Sequence, residues 1–211
     1  MNPTRRAYLD SYEALRPLAE APELRVKWDT ESVLKDFTVR GLAGHLIVRT
    51  GWAVLDYLGS AVEPGIAPID AAAYYATVLG QMDAAEHEQV RVRGEAAAPD
   101  GPAGLLASYD QAAVGVADRL GSEPEERLVK VYGNLVMYLN DYLVTRIVEI
   151  LVHADDLALS LGIDTPAFPD AAYDLATEHL LKVARLQHGG RAVLMAFSRR
   201  ERDSADALRV F

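Results

Sequence analysis

The stretch DYLVTRIVEILVHADDLALSL, residues 141–161, decides the fold. At about 100° per residue around a helix, Leu143, Ile147, Val148, Ile150, Leu151, Val152, Ala154, Leu157, Ala158 and Leu159 cover most of the circumference. A helix apolar on so many sides belongs at the centre of a bundle. Its charged residues Arg146, Glu149, His153, Asp155 and Asp156 read as one polar arc, facing a strip of solvent or a polar cavity. Glu149 and His153 are four residues apart and so are neighbours on one face. Asn140 is the expected N-cap and Gly162 the expected stop.

Upstream, residues 3–20 (PTRRAYLDSYEALRPLAE) read as one amphipathic helix. Residues 23–37 are a connector with a short turn near 31–35. Thr38 is a plausible cap for a helix over 39–58, stopped by Gly59. Residues 60–69 form a loop, and Asp70 caps a helix running to about residue 90. A loop from Gly94 to Pro102 leads to a helix over 102–120, with Gly121 just past its end. Residues 127–139 fit either extended chain or helix. Downstream, Pro166 and Pro169 precede helices over 170–187 and 191–200, and residues 205–211 read as a lone strand. The mixed-sign run Arg199–Asp203 is a solvated helix end. The fold class is all-α: a four-helix bundle with extra helices over residues 1–165, and a short helix/strand extension, 166–211, packed on it.

Composition narrows the function. The chain has 211 residues, half of them hydrophobic and a quarter charged, with a net charge of −10. That is ordinary globular composition. An acidic balance argues against nucleic-acid binding, which needs a basic face. No apolar run approaches the roughly 18 residues of a membrane span, and the first residues show no signal-peptide pattern. A cytoplasmic protein is expected. There is no cysteine, so any thiol chemistry uses a thiol brought from outside. No phosphate-binding Gly-rich loop, G-x-S-x-G elbow or H-E-x-x-H pair is present.

The helix over 39–58 carries His45, Arg49, Trp52 and Asp56 at i, i+4, i+7 and i+11, a narrow arc. If this arc faces that of residues 141–161, His45, Glu149 and His153 converge. Two imidazoles and one carboxylate are a common zinc-ligand set with positions left open for water or substrate. Plainer readings stand beside it. Glu149 and His153 also fit a surface pair contributing a few tenths of a kcal/mol, His45 a core histidine, and Arg146 and Asp156 an intrahelical ion pair. His87, His179 and His188 lie among polar residues and read as surface. Trp28 reads as packing, and Trp52 is the better candidate to line a pocket.

Two segments resemble a known family. Trp28, Ser32 and the run Phe37-Thr38-Val39-Arg40-Gly41-Leu42-Ala43-Gly44-His45-Leu46 resemble the opening motif of the mycothiol-dependent maleylpyruvate isomerase family, and Tyr142 to Leu157 (YLVTRIVEILVHADDL) its second motif. The resemblance covers roughly residues 1–165. It implies a DinB-like metal-dependent four-helix bundle, with the metal held by His45, Glu149 and His153. It further implies a divalent cation, usually zinc, and mycothiol as the external thiol. The isomerase itself carries a sizeable α/β domain after the bundle. Only about 50 residues follow Gly162 here, so the resemblance does not carry maleylpyruvate over as the substrate.

The expected function is therefore a metal-dependent enzyme using mycothiol for isomerisation or S-transfer on a small electrophile. Arg49 and Arg146 are the candidates to pair with a substrate carboxylate, Asp156 to orient His153, and Trp52 to line the thiol site. Homodimerisation is left open. The alternatives are a metal hydrolase with bound water as nucleophile and a non-catalytic metal-binding helical module.

Overall fold

Asn2 starts the first helix: its side-chain oxygen accepts from the N–H groups of Thr4 and Arg5 at 2.8 and 3.4 Å. In the computed structural model, which describes residues 1–81, 84–199, 201 and 205–210, the helix expected over 3–20 is two pieces, α1 (Pro3–Glu13) and α2 (Arg16–Glu20), and a third short helix, α3 (Pro22–Val26), follows where the connector was expected to begin. The breaks come from Pro17 and Pro22, which have no N–H to continue the ladder. Pro17 leaves the Glu13 carbonyl without its helical donor, and the buried Tyr109 hydroxyl lies 3.3 Å from it and 3.0 Å from the Tyr12 carbonyl.

Thr38 caps the next helix as expected, its hydroxyl accepting from Gly41 N–H at 3.0 Å. That helix runs as α4 (Val39–Ala43), a π-helical turn (Gly44–Arg49) and α5 (Thr50–Gly59). A π turn holds one residue more than an α turn and leaves a carbonyl out of the ladder. The Tyr12 hydroxyl donates to the Ile47 carbonyl at 2.8 Å, and Tyr8 reaches that of Thr50 at 3.3 Å.

Asp70 caps α6 (Ala71–Gln81), accepting from Ala73 N–H at 2.7 Å. After it, α7 (Ala84–Ala96) runs through Gly94, where a loop was expected. Gly94 serves close packing here: a Cβ on Gly44 would strike the Gly94 carbonyl, and a Cβ on Gly94 the Gly41 carbonyl. The next helix, α8 (Gly101–Ser122), takes in Gly121 and ends one residue later. Residues 127–139 resolve as an antiparallel pair, β1 (Leu128–Lys130) and β2 (Val136–Tyr138), with Val129 opposite Met137 and a 3₁₀ turn at Tyr132–Asn134 between them.

The long helix α9 spans Leu139–Leu161 and stops at Gly162, whose φ of 74° suits glycine. Asn140 lies inside it instead of capping it, because its side-chain oxygen accepts from Arg5 Nε at 2.9 Å. The same guanidinium covers the carbonyls of Leu120, Glu123 and Pro124 at the end of α8, where a helix terminus leaves acceptors unsatisfied.

Helices α1, α4–α5, α8 and α9 make the four-helix bundle. Tyr12, Leu46, Ile47, Tyr109, Leu143 and Ile150 are among the fully buried side chains at its centre. Two further layers flank it: α7 crosses α4 and the π turn, and α6 packs on α9 and on α10 (Asp170–His188). The chain continues as α11 (Gly190–Ser198) and α12 (Ala205–Leu208). The strand expected over 205–211 is thus helical at residues 205–208, where two alanines and a leucine favour helix; Phe211 lies outside the described residues, as do three members of the Arg199–Asp203 run. No helix among the described residues is long and apolar enough to cross a membrane.

Candidate metal centre

The two arcs meet. His45 projects from the π turn and Glu149 and His153 from α9, and one ligand atom of each lies within 4.8 Å of the others. Glu149 Oε2 stands 3.5 Å from Nε2 of His45 and 3.5 Å from Nε2 of His153. The imidazole rings meet edge to face, centroids 5.2 Å apart. On the far side of the His153 ring, Nδ1 is 3.0 Å from Asp156 Oδ2. A carboxylate accepting from Nδ1–H turns the Nε2 lone pair towards the centre.

The electrostatics agree. Burial pushes the His45 imidazole down, more than Glu149 raises it. Burial also works against a charge on His153, but the hydrogen bonds with Asp156 and Glu149 outweigh it and push that imidazole up to about 9. Burial would raise Glu149. The hydrogen bonds from His153 and His45 and the Arg146 charge reverse this and hold its carboxyl well below the usual range. The carboxylate is ionised at neutral pH and shares a proton with His153. A cation taken up here displaces that proton, and two nitrogens and one oxygen around a single point fit a divalent cation such as zinc.

A cavity of about 400 Å³ opens onto the cluster. Its walls include Phe37, Tyr57, Tyr74 and Tyr75, with Arg49 and Arg146 inside and Glu86, His87 and Tyr132 towards α7. Tyr132 hydrogen-bonds Glu86 and so ties the β1–β2 turn to α7. The sequence model of the mycothiol maleylpyruvate isomerase N-terminal domain matches residues 8–158.

The chain belongs to that family. No curated protein and no solved structure matches it. Like the family model, the cluster lies within the matched stretch, whereas α10 to α12 lie beyond it.

In this member of the mycothiol maleylpyruvate isomerase N-terminal domain family the remaining expected site residues fall in different places. Arg49 lines the cavity and pairs with Asp56 at 3.5 Å. Arg146 also lines it, its guanidinium over the Tyr142 ring at 5.2 Å. Burial opposes the charge on Arg146, but Tyr142, Glu149 and Tyr75 hold its pKa above the ordinary arginine value. It makes no ion pair with Asp156: ten residues put them about 15 Å apart along the axis, and Asp156 is engaged by His153. Asp155 leaves the polar arc. Two residues beyond His153 turn it about 200°, and it is exposed, accepting from Thr165 at 2.7 Å.

Trp52 is not in the cavity wall. Its indole donates to Ser108 Oγ of α8 at 2.9 Å. The π turn is the reason. Its extra residue moves every later position back by one, so the cavity line is His45, Arg49, Ala53, Tyr57 rather than His45, Arg49, Trp52, Asp56. His87 and His188 are exposed, as read from the sequence, but His179 is buried at 5% exposure. It shares a face with Ala172, Ala176 and Val183; helix spacing would have found it where its polar neighbours misled.

Proposed function

We propose that the protein is a metal-dependent enzyme that uses an external low-molecular-weight thiol, mycothiol, for isomerisation or S-transfer on a small electrophilic substrate. The observation that carries this reading is a His–Glu–His cluster opening into a half-enclosed cavity, in a chain with no cysteine that belongs to a mycothiol family. His45, Glu149 and His153 are the proposed ligands. A divalent cation bound there, zinc by preference, lowers the pKa of a coordinated thiol and so supplies a thiolate at neutral pH.

The chain's own residues do the rest. Asp156 holds the His153 ring in register and keeps its Nε2 facing the cluster. Arg146, charged and without a carboxylate partner among the described residues, binds an anionic group of the substrate; Arg49 does so from the opposite wall once released from Asp56. Tyr57, Tyr74 and Phe37 exclude water from the reacting region and present flat faces to the substrate body. Trp52, hydrogen-bonded to α8, has a packing role in this scheme.

The test is conjugation of a model electrophile by wild type and His153→Ala, with and without mycothiol. Turnover by wild type only, and only with the thiol, supports the reading. Wild-type turnover that ignores the thiol replaces it with a hydrolase using bound water. Equal rates in both proteins leave a non-catalytic module.

A further inference from the structure

Glu149 has two oxygens, and only Oε2 faces both imidazoles. The other, Oε1, accepts from the Tyr75 hydroxyl at 3.1 Å. That hydroxyl also lies 3.2 Å from the Thr145 carbonyl. A phenol has one proton to give, and a charged acceptor takes it in preference to a neutral one. Tyr75 belongs to α6 and is 4% exposed. Behind its ring sits His179 of α10, ring centroids 5.2 Å apart.

The His179 imidazole is buried, and its Nε2 has no hydrogen-bond partner. Burial pushes it down to about 4, so at neutral pH it is an uncharged ring. A neutral buried imidazole with an unsatisfied nitrogen is costly, and the contact it makes in return is with Tyr75. The chain of contacts therefore runs from α10 through Tyr75 to the metal-facing carboxylate.

We propose that Tyr75 and His179 are positioning residues for Glu149: the α10 ring fixes the Tyr75 ring, and the Tyr75 hydroxyl holds Oε1 so that Oε2 stays aimed between His45 and His153. The proposal rests on the metal reading above and deepens it. It gives a segment beyond the family match, which ends at residue 158, a role in setting the geometry of the centre. A carboxylate free to rotate presents either oxygen, or both, and samples poses that no longer face the imidazoles. Loss of such an outer hydrogen bond typically weakens metal binding by about 10- to 100-fold.

Titration of the apoprotein with Co²⁺, followed by its visible absorption band and by competition with a chelator, tests this without any assay of turnover. Tyr75→Phe keeps the ring and removes the hydroxyl. It is expected to weaken Co²⁺ binding by about 10-fold or more and to change the band. His179→Ala removes the support and is expected to weaken binding several-fold, whereas His179→Phe restores the ring and with it near-wild-type affinity. In the Tyr75→Phe background, His179→Ala adds nothing, because both act through one hydrogen bond. A Tyr75→Phe protein with wild-type affinity and spectrum overturns the proposal. So does a His179→Ala effect that survives in full in the Tyr75→Phe background, or a His179→Phe protein as weak as His179→Ala. If wild type itself takes up no Co²⁺, the metal reading falls and this one with it, a result distinct from the other three.

Discussion

Asp156 stands three residues beyond His153 on α9, and its Oδ2 meets His153 Nδ1 at 3.0 Å. This contact does two things. It selects the ring nitrogen that faces Glu149, and it raises the affinity of the imidazole for a proton, together with Glu149 and against the cost of burial. Replacing Asp156 with Asn keeps an acceptor and removes the charge. In the metal-free Asp156→Asn protein the His153 pKa is expected to fall from about 9 towards the ordinary imidazole value of 6.5, read from the pH dependence of its imidazole NMR signals. Metal affinity should drop by about 10- to 100-fold. An unshifted titration would mean that Glu149 alone sets it.

The one-residue shift imposed by the π turn predicts which neighbours of His45 matter. Trp52→Phe loses the hydrogen bond to Ser108 and should cost about 1 kcal/mol in denaturant unfolding. Its metal affinity and activity should equal those of wild type. Ala53→Leu, by contrast, projects into the cavity and should impair activity at little cost to metal binding. A Trp52→Phe protein with intact stability and impaired activity would restore the unshifted arc.

His179 gives the protein an acid-sensitive element away from the metal ligands. The groups around it are Tyr75 on α6, Asp70 ahead of α6 and Lys182 on its own helix. Burial lowers its pKa from 6.5 to about 4, with Asp70 opposing and Lys182 assisting. The unfolded chain therefore takes up a proton that the folded chain refuses, and stability falls as pH drops from about 6.5 to about 4. Above pH 6.5 the group makes no pH-dependent contribution. His179→Phe removes this component, so its melting temperature should fall less than that of wild type between pH 6.5 and 4. Parallel curves for the two proteins would contradict the assignment.

Much of this was legible in the chain. Thr38, Asp70 and Gly162 announce their caps and stops because each relies on local chemistry, a side-chain oxygen reaching an N–H or a residue tolerant of positive φ. Helix spacing alone brings Glu149 and His153 together, and the two motifs add His45. What stayed hidden depends on tertiary contacts. Gly94 looks like a loop residue until Gly41 and Gly44 are seen against it. The segment GHLIVR reads as ordinary α-helix; its π turn goes with the buried Tyr12 hydroxyl that satisfies the Ile47 carbonyl. Pro17 is a break inside the first helix that the amphipathic pattern around it masks. Tyr75 and His179 come to Glu149 from α6 and α10, elements whose packing no local pattern announces.

The ligands sit on helices that already bury a continuous apolar core. Chelation should therefore lower the melting temperature by an amount that grows with free-metal concentration in the reference state and leave the far-ultraviolet circular dichroism at 25 °C helical. Loss of helical signal on chelation would instead make the metal part of the fold, as in small zinc domains.

The most direct measurement is the metal content of the purified protein and of His45→Ala, Glu149→Ala and His153→Ala, by elemental analysis and by titration of each apoprotein with Zn²⁺. Among the described residues no fourth His, Asp or Glu joins the three-ligand group, so wild type should hold a divalent cation at about one per chain and each variant should lose most of it. A wild-type protein that carries no divalent metal and takes up none on titration would contradict the account at its centre.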